Sequence, residues 1–407
     1  MKTFRNLVLL ILFFKAILSC KRGKDYKKDL ISEVIENSSD SLLKVIWSQR
    51  KDFNVQVNFT QIINKDSVVP KFQTFSYPQG TPPYFYPAST VKLPIAILAL
   101  EKLSVLQSEG IAIDHKTLFK TYDNSMQVLS AVDKTHSKGW LTIGHLIKKI
   151  FLVSDNEAFN YLYDFLGTDY INQSLNSKGI EGIRIVHKLS SNAISEVNSQ
   201  MVFFSESLDT LYHQPILSSS NYNTKLDLKG LKKGKGFYKN GEYLAYSMDF
   251  STKNYISLNA LHGILRRIIF PESFSKDNQF NLEDEDLNFL RYWMSRVPTE
   301  INEPYYDRDL YFDSYCKFFM YGDTTGEMTP KIRIYNKIGL AYGTVTDVAY
   351  ITNHKGLSFM LSACLEVNEN QIFNDDIYEY DTIGIPFLAA IGRAFYNYEL
   401  KTAELIK

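Results

Sequence analysis

Residues 332–367 read IRIYNKIGLAYGTVTDVAYITNHKGLSFMLSACLEV, and they decide the architecture. Three runs, 332–339, 344–351 and 357–367, are rich in β-branched and aromatic residues and have the length of strands. The intervening AYG and NHKG carry turn residues, so the chain reverses twice and the three strands pair antiparallel. IPFLAAIGRAFYNYELKTAEL follows with helical spacing. At the other end, residues 30 to about 48 repeat apolar positions like one helix, and VQVNFTQII (55–63) and FQTFSYPQG (72–80) suit two more strands. Between these ends lie helical patterns: VKLPIAILALEKLSVLQSEG, LTIGHLIKKIFLVS with Thr142 as its cap, a helix opening at Asp155 or Asn156, then LHGILRRII and DEDLNFLRYWMSRV. The order implies an α+β sandwich: an antiparallel sheet flanked by N- and C-terminal helices, with an inserted all-helical lobe.

The boundaries follow. Residues 31–88 and 331–407 form the sheet lobe, and 89–330 form the mainly helical lobe, with insertions near 221–243 and 303–330. The first insertion holds six lysines between 225 and 239 against Asp227 alone, which reads as a solvated loop or a contact for anionic lipid. A composition of 45% hydrophobic and 22% charged residues excludes a disordered chain. Balanced charge, 45 basic and 45 acidic residues, gives no basic field for nucleic acid, and a monomer is expected.

The N-terminus has its own logic. In MKTFRNLVLLILFFKAILSC, Lys2 and Arg5 precede an apolar run too short to span a bilayer comfortably, the form of an export signal. Residues 1–19 are expected to be a signal peptide and 20–30 a hydrophilic tether. Cys20 after Ser19 resembles a bacterial lipobox, although Leu18 and Lys15 depart from it, so lipid attachment at Cys20 and a place on the periplasmic side of the envelope are expected. Cys316 and Cys364 make no disulfide framework, and Cys364 lies in a run that buries a thiol.

Three short elements carry chemistry. In PASTVKL (87–93), Ser89 and Lys92 lie one helical turn apart, so their side chains share a face. A serine needs a proton acceptor, and a lysine accepts only when burial or positive charge lowers its pKa. The pair alone is equally a serine at the start of a helix. In VSDNEAF, Ser154 can relay a proton and Asn156 can bond an amide, or Ser-Asp-Asn is a capping cluster with Asp155 structural. In NKIGLAY, Lys337 supplies positive potential, Gly339 admits a close backbone and the Leu340 N–H can face an oxyanion.

Together, in this order, SxxK, SDN and K-x-G resemble the signature of the class A beta-lactamase family and its penicillin-recognising serine relatives. The likeness extends through FYPASTVKLP, LTIGHLI…SDNEAFNYLYDFLG and KIGLAYGTVTDVAYI. It implies Ser89 as acylated nucleophile, Lys92 as general base, Ser154 as the proton donor to the leaving nitrogen and Asn156 as a substrate-amide partner. It further implies Lys337 as attractor of a substrate carboxylate, and an oxyanion hole from the N–H groups of Ser89 and Leu340. No cofactor is implied, and the seven histidines form no HxH or HExxH metal pattern.

Two departures qualify the likeness. Ile338 stands where hydrolysing members carry Thr or Ser that binds the substrate carboxylate, and 344–367 lacks an arginine, with Lys355 a weak stand-in. His187 and Leu189 fall where the family's Arg-x-Glu pattern would place its deacylating loop, leaving Glu196 as a displaced candidate base. The expected activity is acyl-serine hydrolysis of a beta-lactam or related amide. The alternative is a weakened envelope protein or D,D-peptidase-like enzyme working on peptidoglycan fragments.

Overall fold

The computed structural model describes residues 29–63, 70–189, 198–217 and 225–405. Cys20, the export segment, Glu196 and residues 221–224 of the basic insertion lie outside the described residues.

The periodicity over 30–48 resolves into two helices, α1 (Leu30–Glu36) and α2 (Ser41–Ser48). Asp40 ends the single helix expected there. It lies in extended backbone, and its carboxylate accepts the Leu43 N–H at 2.9 Å, so the NSSD stretch caps a second helix. After α2 come β1 (Gln56–Ile63) and β2 (Lys71–Tyr77), and the C-terminal end supplies β9 (Ile332–Ala341), β10 (Thr344–Asn353), β11 (Ser358–Glu366) and α8 (Ile385–Leu405). The sheet runs β9-β10-β11-β1-β2, antiparallel throughout, so the two chain ends meet where β1 pairs with β11. One sheet face buries Phe59, Leu361 and Val345 against Phe387, Leu388 and Phe395 of α8, with α1 and α2 alongside. The other face meets the inserted lobe through Val348, Met360 and Cys364.

That lobe is built on α3 (Lys92–Ser108), α4 (Ile143–Val153), α5 (Asn156–Leu166), α6 (Leu258–Ile269) and α7 (Asp284–Ser295). α3 is apolar on every side and is buried along most of its length, as a helix without a polar face must be. The inserted lobe also carries a small antiparallel sheet of β3 (Leu118–Tyr122), β4 (Val128–Ser130), β5 (Gln200–Phe204) and β6 (Thr210–Gln214). Phe119 and Phe203 pair across β3 and β5 and are fully buried, so these strands complete the lobe's own core.

The basic insertion is a folded strap. β7 (Gly236–Lys239) and β8 (Glu242–Leu244) form a hairpin, and β7 adds β12 (Ile372–Phe373) in parallel. Leu226, Leu228, Leu231 and Phe237 pack on a small core of Tyr84, Tyr86, Ala88, Phe250 and Phe373. Most lysines of the strap face outward, Lys233 turns inward to pair with Glu366 at 2.5 Å, and the apolar residues back the stretch that bears Ser89. Cys316 and Cys364 are both buried free thiols.

Candidate active site

Ser89 lies in a single 3-10 turn, Ala88–Val91, that leads directly into α3. It is not a capping serine, since the turn has no side-chain cap. Ala88 just before it is held at φ 47°, a conformation that a non-glycine residue adopts only at a cost of about 1–3 kcal/mol. One turn on, Lys92 is fully buried, and its Nζ lies 2.8 Å from Ser89 Oγ.

The ammonium of Lys92 also faces Ser154 O, Asn156 Oδ1 at 2.6 Å and Ser154 Oγ at 3.2 Å. Ser154 ends α4 in the left-handed region, φ 57°, which turns its carbonyl toward Lys92. Asp155 is structural: it caps α5 through the Ala158 N–H at 2.7 Å and lies 3.4 Å from Lys149 Nζ. Burial, then the positive charge of Lys337, pulls the Lys92 pKa well below the usual lysine range. The neutral amine has two hydrogens and one lone pair. Two of its neighbours, Ser154 O and Asn156 Oδ1, are acceptors only, so both hydrogens go to them. The lone pair is left for the Ser89 hydroxyl proton.

Lys337, on the edge strand β9, donates to Ser154 Oγ at 2.8 Å and to Ile338 O at 3.0 Å. It too is buried, which draws its pKa down to about 8. Behind it stands a buried polar relay. Lys317 Nζ donates to Asn336 Oδ1 at 2.7 Å, Asn336 Nδ2 donates to Asp347 Oδ1 at 2.8 Å, and the Phe319 N–H donates to Asp347 Oδ2 at 3.1 Å. Burial pushes the Asp347 carboxyl up to about 6.

Ser89 opens into a cleft of about 490 Å³ whose lining includes Asn156, His187, Lys253, Leu340, Tyr342 and Asp376. Ser89, Lys92, Ser154, Asn156 and Lys337 are therefore brought together, and Leu340 joins Ser89 at the cleft. Lys337 reaches Ser154 from beneath and is not among the lining residues. Gly339 has a different task from the one its motif suggests. A Cβ there would lie 2.8 Å from Pro87 O and 2.9 Å from Thr90 Cγ2, so the glycine lets β9 close on the turn that carries Ser89. Ile338 is buried with Cys316, Phe318 and Phe319 under the sheet, on the face away from the cleft.

His187 is held on both ring nitrogens. Its Nδ1–H donates to Lys188 O at 2.7 Å, and its Nε2 accepts the Asn254 N–H at 3.1 Å. Burial keeps it neutral, with its pKa drawn down to about 4. Leu189 is fixed by reciprocal bonds with Asn160, both 3.0 Å. Among the described residues, Asp376 is the carboxylate that lines the cleft. Asn254, Lys253 and Asp376 carried no recognisable pattern in the sequence, because they lie on loops that only tertiary packing brings to Ser89.

The family model described as "Beta-lactamase enzyme family" matches residues 73–279, a span that holds Ser89, Lys92, Ser154 and Asn156 and ends before Lys337. No curated protein matches the sequence. Similar solved structures include a beta-lactamase from Sphaerobacter thermophilus DSM 20745, at 16% identity over 88% of this chain and 97% of that one, TM-score 0.48. A beta-lactamase from Desulfarculus baarsii DSM 2075 is 14% identical over 88% of this chain and 96% of its own, TM-score 0.49. The chromosome-encoded beta-lactamase of Vibrio parahaemolyticus is 14% identical over 88% and 99%, TM-score 0.48.

Proposed function

Because this chain belongs to the beta-lactamase enzyme family, we propose that it opens a beta-lactam or related amide through an acyl ester on Ser89, in the class A manner. The observation that carries this is Lys92: a buried amine 2.8 Å from Ser89 Oγ whose hydrogens are claimed by two other acceptors. In this reading Lys92 takes the hydroxyl proton as Ser89 Oγ bonds to the carbonyl carbon. The N–H groups of Ser89 and Leu340 hold the oxyanion. The C–N bond then breaks as Ser154 gives its proton to the departing nitrogen, and Lys92 returns one to Ser154 across 3.2 Å. Lys337 supports that transfer by donating to Ser154 Oγ, and its charge draws an anionic substrate. Asn156, its Oδ1 engaged by Lys92, offers its amide hydrogens to the substrate.

Release of the ester is assigned to water activated by a cleft carboxylate: Asp376, with Glu196 the candidate outside the described residues. Among the described residues a single carboxylate lines the cleft, which favours a second reading, in which the ester on Ser89 is long-lived and the protein captures peptidoglycan fragments or acts as a slow D,D-peptidase. We further propose export and a lipid anchor at Cys20; no helix of the described residues is long and apolar enough to cross a membrane.

Intact-mass analysis with a penicillin probe tests the proposal. One adduct per chain is expected, absent in S89A. No adduct under saturating probe would remove beta-lactams from the substrate class. Turnover of a chromogenic beta-lactam by the same sample separates the two readings.

A further inference from the structure

A second constellation lies in the inserted lobe, away from Ser89. His136, His145 and Glu303 each offer one donor atom, and the three atoms lie within 4.8 Å of one another. The first two line a cavity of about 560 Å³, together with Ser137, Trp140, Lys148 and Trp293. His136 and His145 are nine positions apart and Glu303 is far along the chain, a spacing that matches no metal-ligand motif.

The hydrogen bonds around His145 fix its tautomer. Thr135 has one hydroxyl hydrogen and donates it to Asp133 Oδ1 at 2.6 Å. Thr135 Oγ1 therefore accepts from His145 Nε2–H, at 2.8 Å. That leaves the Nδ1 lone pair, and this atom is buried and has no hydrogen-bond partner among the described residues. His145 is 1% exposed, and an orphaned acceptor at that depth is costly unless something takes it up. A ring whose N–H is held through Thr135 by a carboxylate, with the opposite nitrogen open, is arranged as histidine ligands to metals are.

We propose that His136, His145 and Glu303 form a site for a divalent transition-metal ion, Zn²⁺ by the chemistry of its donors. Two imidazoles and one carboxylate suit zinc, whereas magnesium and calcium prefer an all-oxygen shell. Three protein donors leave a fourth position, open to the cavity for water. Donors on one tetrahedral zinc, with bonds of about 2.0–2.2 Å, lie roughly 3.3–3.6 Å apart, so the site closes by more than about 1 Å on binding. The closing falls to Glu303 and His136, because His145 is held in α4. Glu303 Oε1 now accepts from Ser137 N at 3.0 Å and Ser137 Oγ at 2.9 Å, and it lies 3.8 Å from His136 Nδ1. His136 Nδ1 in turn accepts the Lys138 N–H at 3.1 Å.

Lys148 opposes the ion. Its ammonium sits over Trp293 at 4.8 Å from the ring centroid, on the same cavity, and its charge acts on both histidines. Moderate affinity is therefore expected, and removing this charge tightens the site.

The test is titration of untagged, chelator-treated full-length protein with Co²⁺, read by its visible d–d bands, with Zn²⁺ as competitor. One Co²⁺ per chain with intense tetrahedral-type bands is expected, displaced by one equivalent of Zn²⁺. E303Q and H136Q alter partly exposed residues that leave the core untouched, and each weakens binding at least tenfold. T135V releases the tautomer and costs about 10–100-fold, the usual price of losing a group that orients a ligand. K148Q binds more tightly than the unmodified protein. Absence of the bands, or the same affinity within threefold in both E303Q and H136Q, overturns the proposal.

Discussion

Replacing Ile338 by threonine asks which face of β9 this side chain occupies. The family likeness makes I338T a repair that returns a hydroxyl to a substrate carboxylate. The structure makes it damage. Ile338 is 6% exposed and packs with Cys316, Phe318 and Phe319, while Lys337 beside it points the other way, as strand alternation requires. The swap removes roughly two methylene equivalents, about 1.6 kcal/mol at about 0.8 kcal/mol each. It also buries a hydroxyl, but opposite the Asp347 carboxylate with which Ile338 is in register, so the added cost is at most about 1 kcal/mol. A loss of about 2–3 kcal/mol is therefore expected, against about 1 kcal/mol for I338V. Urea unfolding of the three proteins measures the stability. Acylation by a carboxylate-bearing beta-lactam and by its methyl ester measures the site. No gain in the acylation rate of the acid is expected from I338T. A tenfold gain for the acid but not the ester, with stability unchanged, would place the side chain in the cleft and refute the reasoning.

The acylation rate should trace a bell against pH. It rises as Lys92, displaced well below the lysine range, loses its proton, and falls near pH 8 as Lys337 loses the charge that supports Ser154, its pKa being about 8. Stopped-flow acylation across pH 5–10 measures both limbs, and a flat profile would remove Lys92 as the base. Two lysines line the cleft; Lys188 is paired with Asp164, which leaves Lys253, 5.9 Å from the Tyr342 ring centroid, as the candidate stand-in for the missing arginine. K253M should raise KM for carboxylate-bearing substrates by up to about fivefold, since exposed ion pairs are worth at most about 1 kcal/mol, and leave kcat alone. His262 is buried between Thr60 Oγ1 at 2.8 Å and Ser362 Oγ at 2.7 Å, and burial lowers its pKa from 6.5 to about 3. Between those values the unfolded chain binds a proton that the folded chain does not, so the stability it contributes above pH 6.5 is lost as pH falls toward 3. Denaturant midpoints at pH 7, 5 and 4 should show this loss, and H262N should flatten it.

What the sequence revealed of the site follows from how local each feature is. Ser89 with Lys92 and Ser154 with Asn156 are short-range patterns, legible because one helical turn or one cap sets their geometry. Lys337 was legible because it precedes Gly339 in a K-x-G pattern near the end of a strand. Strand geometry puts Lys337 and Ile338 on opposite faces, so Ile338 cannot share the role its neighbour has. Gly339 was read as room for substrate, but the space it frees is filled by Pro87 and Thr90 from a turn 250 residues earlier. The small sheet of the inserted lobe was missed because β3 pairs with β5 some 80 residues on, and neither strand is long enough to announce itself. The split between α1 and α2 was readable in NSSD, where Asp40 offers an N-cap.

The strap over 225–244 gives the cleft its remaining chemistry. β7 holds β12 in parallel, and Asn374 Nδ2 donates to Tyr238 O at 2.9 Å, so the hairpin fixes the loop that carries Asp376 to the rim. With both nitrogens of His187 engaged and Lys188 paired to Asp164 at 2.8 Å, Asp376 is, among the described residues, the carboxylate of the cleft lining and our candidate to activate water. An exposed carboxylate on a loop activates water less well than one fixed beside the ester, so acylation should outrun release. A burst of one equivalent followed by a slow steady rate is the expected course with a chromogenic beta-lactam. D376N should keep the burst and slow the steady rate at least tenfold, given that general-base catalysis contributes about 10²–10⁴-fold. E196Q measured in parallel separates the two carboxylates. A D376N protein with an unchanged steady rate would exclude Asp376, and rapid turnover without a burst would mean that release was never the slow step.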